Sequence, residues 1–173
     1  MIEPLDALKD KIVMVAKILQ NQGVIDGYGH ITARLPEKRI LSTPHMPPGK
    51  VAVRDLIILD ADGKKLEGFG APNGETAMHT SIYKARPDVM SIVHSHSPSV
   101  VPFGLVGVPL QAMFHNAAFI AAGVPVFDIR AKFGATNMLV GNAEKGVALA
   151  EVMGTKDVVL MRAHGSVACG ATL

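Results

Sequence analysis

The sequence predicts a single mixed α/β domain in which an antiparallel or mixed sheet is flanked by helices. Its 173 residues, 49% of them hydrophobic, suit one domain with a full-sized core. The predicted strands come in clusters instead of alternating strictly with helices, which disfavours a doubly wound parallel sheet. No internal repeat or linker interrupts the pattern, so we expect one domain over residues 1–173.

Each element is predicted from the spacing of apolar residues and from the turn residues that bound it. Apolar residues near a 3.6-residue period predict helices over 4–21, 76–86 and 143–153. Short apolar runs bounded by Pro, Gly, Asp or Asn predict strands over 31–35, 39–42, 56–59, 89–96, 124–129, 158–161 and 166–169.

Composition disfavours several classes of protein. Seventeen Lys and Arg against fifteen Asp and Glu give a formal net charge of +2. Because no basic block accompanies that charge, we expect no nucleic-acid partner. Every apolar stretch is interrupted before about 18 residues, the length that a spanning helix needs, so we expect no membrane partner.

Cysteine usage and the apolar surplus predict a location and an assembly. The single cysteine, Cys169, cannot form an internal disulfide, and the N-terminus lacks the pattern of a secretory signal. A cytoplasmic location is therefore expected. The apolar surplus is more than one core needs and predicts an interface in a homo-oligomer.

The main chemical signal is the pair His94 and His96, at the end of the apolar run that begins at Val89. Side chains two apart on a strand point the same way, with Cα atoms roughly 6.5–7 Å apart, so both imidazoles can meet one metal ion. The ordinary alternative is a polar strand residue that forms a hydrogen bond at the edge of the core. Further ligands are needed to decide between them.

Two further candidates stand where a site would form. Glu75 opens a predicted helix, and His164 follows an apolar strand. Three neutral imidazoles with open positions for water or substrate describe a catalytic metal site, and a nearby carboxylate suits a general acid/base. Spacing alone leaves the convergence of these residues open.

Four motifs together resemble the class II aldolase/adducin family. They are Gly29-His30-Ile31-Thr32-Ala33-Arg34, Pro72-Asn73-Gly74-Glu75 with His79 and Tyr83 following, Val93-His94-Ser95-His96-Ser97-Pro98, and Arg162-Ala163-His164-Gly165. The resemblance implies that His94, His96 and His164 hold one divalent metal ion and that Glu75 is the catalytic acid/base. It also implies a mixed, largely antiparallel sheet between helical layers and a homotetramer with sites at subunit interfaces.

The motifs depart from the sugar-phosphate aldolases where those enzymes cradle the phosphate. The corresponding segments here are Gly29-His30-Ile31-Thr32, Ser42-Thr43-Pro44-His45 and Asn73-Gly74. Proline and imidazole replace poorly a loop of N–H and hydroxyl donors, so a phosphorylated substrate is disfavoured. We expect the small-molecule substrate to contact His30, Thr32, Ser42, Asn73, Gly74 and His115.

Segments 97–104, 109–110, 114–119 and 123–130 resemble the branch that contains decarboxylases of hydroxylated aromatic or pyridine carboxylates. We therefore expect a metal-dependent lyase that decarboxylates a small hydroxylated aromatic or heteroaromatic carboxylate. The alternatives are a class II aldolase and a non-catalytic, adducin-like interaction module. Three imidazoles and a carboxylate suit Zn²⁺ or Mn²⁺, and also Fe²⁺ or Co²⁺.

Three other features complete the expectations. His79 shares a helix face with Glu75 and is expected to form a hydrogen bond to a neighbouring turn, while His45 is expected to be solvated. Family members usually continue into C-terminal helices, which this chain is expected to lack. Cys169 is expected to be a small buried residue without thiol chemistry.

Overall fold

The structure, a computed structural model, describes residues 4–173, so the first three residues of the predicted domain lie outside it. Within this range the helices are α1 Leu5–Asn21, α2 Thr76–Ala85, α3 Ile129–Phe133 and α4 Ala143–Met153. The strands are β1 His30–Arg34, β2 Ile40–Ser42, β3 Ile57–Leu59, β4 Lys65–Glu67, β5 Ser91–Ser95, β6 Val126–Phe127, β7 Val158–Met161 and β8 Gly165–Gly170.

The strands form one mixed sheet in the order β4-β3-β2-β1-β5-β8-β7-β6. Every neighbouring pair is antiparallel except β6 and β7, which run parallel. The prediction of a mixed, largely antiparallel sheet is therefore confirmed. Strand β1 lies beside β5 with His30 opposite His94, which brings the start of one strand to the end of the other.

Helices cover both faces of the sheet, each over its own apolar core. Helix α1 packs over Ile31 and Leu41, whereas α2 and α4 pack over Ile92 and Val167. Because side chains alternate along a strand, Val93 contacts the α1 core while Ile92 faces α2. His94 is two residues beyond Ile92 and shares its face, so this part of the candidate site lies on the α2 side.

Two parts of the predicted fold differ from the structure. The strand predicted over 124–129 is limited to Val126–Phe127, because the side chain of Asp128 accepts a hydrogen bond from the backbone N–H of Arg130 and starts α3. Strand β4 is exposed along its whole length and carries no apolar alternation that would predict it.

No helix within residues 4–173 combines the length and apolarity that crossing a bilayer requires.

Candidate metal centre

A cavity of about 400 Å³ lies where β1 begins, β5 ends and β7 turns into β8. Its walls include Glu75 at the start of α2, His96 just after β5 and His164 in the β7–β8 turn. His94 is fully buried behind them. These four residues, which we call the metal cluster, offer one ligand atom each, all within 4.8 Å of one another.

Hydrogen bonds at Nδ1 fix the tautomer of all three histidines. Nδ1 of His94 lies 3.0 Å from the carbonyl oxygen of Ser166, and Nδ1 of His164 lies 3.0 Å from that of Met138. Nδ1 of His96 lies 3.1 Å from both carboxylate oxygens of Asp26. Because these oxygens only accept, each Nδ1 carries the hydrogen and donates it. Each neutral ring is left with a lone pair on Nε2.

The three lone pairs meet without a hydrogen between them. Nε2 of His94 and Nε2 of His96 are 2.9 Å apart. The carboxylate oxygen Oε2 of Glu75 lies 3.3 Å from Nε2 of His164 and 3.7 Å from Nε2 of His94. Lone pairs and a carboxylate that converge in this way could hold a metal ion, and imidazole held through Nδ1–H by an oxygen is the usual form of a metal ligand.

Glu75 is positioned from its other oxygen. Its Oε1 accepts a hydrogen bond of 2.7 Å from the backbone N–H of Val140. Burial acts to raise the pKa of the Glu75 carboxyl, but the contact with His164 and the proximity of the His94 and His164 rings outweigh it, so that the pKa lies below its ordinary value. Glu75 is therefore a carboxylate at neutral pH.

The pKa values of the histidines agree with a cation site. Burial, followed by the proximity of His30, lowers the pKa of His94 well below its usual range, so this ring stays neutral. Burial also acts to lower the pKa of His164, but the Glu75 carboxylate outweighs it and raises that pKa. A metal ion would take the place of the proton that Glu75 favours on His164.

The β7–β8 turn shows why His164 is followed by glycine. A Cβ atom on Gly165 would lie 2.3 Å from the backbone oxygen of Ser95 and 2.9 Å from Cδ2 of His96. Ala163, before the histidine, has φ of 56°, a left-handed conformation that costs energy for a residue with a side chain. The turn is thus built to bring His164 close to β5.

Three other predicted site residues lie at the cavity. His30 and Asn73 are buried and line it, and the exposed Gly74 completes that wall. Asn73 donates a hydrogen bond of 2.8 Å to the carbonyl oxygen of Thr43, which holds the Pro72-Asn73-Gly74 segment against the end of β2.

Three other predicted substrate contacts do not line the cavity in this chain, and their contact with substrate stays a prediction. Thr32 is buried and its Oγ1 bonds to His79 and Tyr83. The Ser42 hydroxyl is also buried and donates to the carbonyl oxygen of Thr43. His115 lies on an exposed segment and its ring contacts Phe114.

His79 differs from its prediction in its hydrogen-bond partners. It is buried in α2 as a structural residue, but its ring bonds to His30 and Thr32 on β1 and not to a neighbouring turn. His45 is exposed as expected, yet it lines the cavity.

Several residues at the site were not predicted. Tyr28, Met138, Leu139 and Ala163 line the cavity, and Asp26 orients His96. Asp26 precedes His96 by 70 residues, so no local spacing links them. The one available signal was the Asp26-Gly27-Tyr28-Gly29 turn directly before a motif already singled out.

Comparisons with known proteins agree with this site. A decarboxylase of Talaromyces stipitatus, tropJ, is 34% identical over 173 residues, covering 90% of this chain and 65% of the relative. The 3,4-dihydroxyphthalate decarboxylase of Arthrobacter keyseri is 31% identical over 173 residues, covering 91% of this chain and 66% of the relative. This chain thus spans just under two thirds of the length of both relatives.

The fold and the family are shared as well. The structure of an L-fuculose 1-phosphate aldolase aligns with a TM-score of 0.81 at 25% identity, covering 99% of this chain and 78% of that one. Residues 10–173 match the family described as the Class II Aldolase and Adducin N-terminal domain. The predicted family is confirmed, and the chain belongs to the class II aldolase and adducin N-terminal domain family.

Proposed function

We propose that this protein is a divalent-metal-dependent decarboxylase of a small, non-phosphorylated, hydroxylated aromatic or heteroaromatic carboxylate. The observation that carries the proposal is the metal cluster, in which three Nε2 lone pairs and the Glu75 carboxylate converge beside an open cavity. The names of the two decarboxylase relatives support the reaction, and one of them acts on 3,4-dihydroxyphthalate.

The side chains at the cavity support a substrate without phosphate. The hydroxyl of Ser42 donates to the carbonyl oxygen of Thr43, and the Thr43 hydroxyl pairs with backbone groups of Ile31. Neither hydroxyl is free to bind a phosphate oxygen. Each cavity-lining histidine has one ring nitrogen engaged within the protein, apart from His45.

In the proposed mechanism, His94, His96 and His164 hold one divalent ion, and Glu75 beside them is the acid/base. When bound, that ion would supply a Lewis acid that stabilises negative charge on the substrate oxygens. Glu75 accepts the proton of a ring hydroxyl at Oε2. The bond to the carboxylate carbon then breaks, CO₂ leaves, and the electron pair stays with the ring.

Proton return completes the cycle. Glu75 gives its proton to the ring carbon that has lost CO₂, and a proton from solvent restores the hydroxyl. Because the pKa of Glu75 lies below its ordinary value, the group is ionised at neutral pH and can accept the first proton.

Product analysis tests the reaction. The metal-loaded protein is incubated with hydroxylated aromatic carboxylates, including 3,4-dihydroxyphthalate, and separately with L-fuculose 1-phosphate. We expect CO₂ from an aromatic acid and no aldehyde from the sugar phosphate. Aldehyde without CO₂ would replace this proposal by an aldolase, the second candidate that the structural similarity favours. No product together with no bound metal would favour an adducin-like interaction module.

Zn²⁺ or Mn²⁺ is the proposed metal, with Fe²⁺ and Co²⁺ as alternatives. The donor set of three imidazoles and one carboxylate supports a borderline divalent ion. Elemental analysis of protein purified without chelator identifies the metal, and one equivalent per chain is expected.

A homotetramer is the proposed assembly, with His115 reaching the cavity of a neighbouring copy. Met113, Phe114 and Phe119, which flank His115, are 83%, 62% and 60% exposed. An apolar segment of this kind is typical of a subunit interface. Light scattering of Phe119→Asp tests it, since a charge there should dissociate the tetramer.

We also propose a cytoplasmic location, supported by the free thiol of Cys169. Cell fractionation of the tagged protein tests it.

A further inference from the structure

A second group of buried polar side chains runs inward from the cavity, beside the metal cluster. Nδ1 of His30 lies 2.7 Å from Nε2 of His79, and Nδ1 of His79 lies 2.8 Å from Oγ1 of Thr32. Oγ1 of Thr32 lies 2.9 Å from the hydroxyl of Tyr83. We call these four residues the histidine chain.

Both rings of the histidine chain are neutral. His30 and His79 are only 3% and 1% exposed, and within residues 4–173 neither ring has a carboxylate partner. A positive charge buried in this way without a counter-charge is costly, so neither ring carries a second hydrogen. Burial raises the pKa of Tyr83, so its hydroxyl keeps its hydrogen.

Counting hydrogens gives the direction of the chain. Each of the four residues brings one polar side-chain hydrogen, and three contacts join them, so one hydrogen must point out at one end. At the Tyr83 end, the hydroxyl has no partner other than Thr32 within residues 4–173. At the His30 end, Nε2 belongs to a ring that lines the cavity.

Only one arrangement therefore leaves no buried donor unpaired. Tyr83 donates to Thr32, Thr32 donates to Nδ1 of His79, and Nε2–H of His79 donates to Nδ1 of His30. The hydrogen of His30 then sits on Nε2. Within the described chain this nitrogen has no hydrogen-bond partner, and it is not among the unpartnered atoms that are sealed from solvent.

We propose that Tyr83, Thr32 and His79 are positioning residues that hold His30 as an Nε2–H donor, and that this donor binds a carboxylate oxygen of the substrate. The identity of the ligand rests on the proposed function, whereas the direction of the chain does not. An N–H donor attracts an anionic oxygen, and it disfavours a ligand group that can only donate.

The direction can be measured without turnover. Nitrogen-15 NMR of histidine-labelled protein, zinc-free and zinc-loaded, distinguishes a protonated Nε2 from one with a lone pair, and loss of the signals in His30→Asn assigns them. We expect His30 to be protonated at Nε2 in both forms. A lone pair at Nε2 of His30 would overturn the proposal, even if the protein releases CO₂.

Substitutions of Thr32 test the positioning role. Thr32→Val removes the donor to His79, so the Nε2 signal of His30 should move toward the unprotonated position. Thr32→Ser keeps the hydroxyl and should restore it. Thr80→Val is the matched control, because the Thr80 hydroxyl lies on the same helix as His79 and, within residues 4–173, bonds only to the carbonyl oxygen of Ala77. An unchanged His30 signal in Thr32→Val would overturn the role.

Binding of simple ligands to the zinc-loaded protein tests the substrate class. Benzoate carries only a carboxylate and catechol only hydroxyls. We expect Thr32→Val to weaken benzoate binding about tenfold and catechol binding little, with Thr32→Ser and Thr80→Val close to the original protein. Weakening for catechol alone, or for neither, would overturn the assignment. If Thr32→Val fails to fold, the NMR of the original protein decides.

Discussion

The metal cluster and the histidine chain lie side by side and use the same side chain in opposite ways. In the cluster, His94 and His96 point two Nε2 lone pairs at one place, 2.9 Å apart. In the chain, His30 and His79 approach to 2.7 Å with one hydrogen between them. The difference comes from what lies behind each ring. In the cluster, each Nδ1–H donates to an acceptor oxygen, so that no hydrogen is left on Nε2. In the histidine chain, hydroxyl groups donate to the rings, so that the last ring keeps its hydrogen on the nitrogen nearest the cavity.

This contrast shows that the distance between two imidazoles does not reveal their role. When both rings of a pair donate their N–H to acceptors elsewhere, their remaining lone pairs can bind a cation. When a hydroxyl donates to the first ring, the second ring keeps an N–H and becomes a hydrogen-bond donor itself. The following substitutions should therefore separate metal affinity from stability.

The largest effect is expected from His164→Ala. It removes one of three Nε2 lone pairs and leaves Glu75 without its 3.3 Å neighbour, so the affinity for zinc should fall more than about 100-fold. Competition titration with a chromogenic chelator measures it. His45→Ala is the control, since His45 lines the cavity outside the cluster and its loss should leave zinc affinity unchanged. Equal losses in both variants would contradict the assigned ligands.

A substitution behind the cluster should act nearly as strongly. In Gly165→Ala, the new Cβ would lie 2.3 Å from the backbone oxygen of Ser95. Because atoms cannot approach so closely, β5 and the histidines at its end must shift. We expect zinc affinity to fall about 10–100-fold and the free energy of unfolding to fall by about 1–3 kcal/mol. Gly104→Ala, whose new Cβ would have no neighbour closer than 3.4 Å, is the control for both measurements.

Asp26→Asn should have a smaller effect on the metal. The amide oxygen can still accept from Tyr28 and Gly29, which keeps the turn, but the negative charge behind His96 is lost. Zinc affinity should fall about tenfold, as measured by the same titration. Asp62→Asn is the control, because it removes an exposed carboxylate that is not part of the cluster and should leave zinc affinity unchanged. An unchanged affinity in Asp26→Asn would mean that a backbone-like acceptor suffices for His96.

The smallest effect on the metal is expected from Tyr83→Phe, in the histidine chain. The loss of one buried hydroxyl should lower the free energy of unfolding by about 1 kcal/mol and leave zinc affinity unchanged. Urea denaturation and the zinc titration measure the two quantities. A large loss of zinc affinity would show that the chain and the cluster act as one unit.

Much of the site follows from local patterns. The strand that carries His94, the helix opened by Glu75 and the glycine after His164 are each signalled by residues near them in sequence. The burial of Thr32 and Ser42 away from the cavity could not be predicted, because strand alternation shows which face a side chain occupies, but not whether another layer covers that face. Helix α2 covers Thr32 with His79 and Tyr83.

The sequence by itself determined the mixed sheet through apolar periodicity and the family through four short motifs, because both are local properties. The four residues of the metal cluster were predicted only through the resemblance to that family. Only the tertiary structure decided which oxygen lies behind each histidine, and hence where each hydrogen sits. Asp26 meets His96 across 70 residues, and Met138 meets His164 across 26. Such pairings depend on how strands and loops pack, which no local spacing encodes.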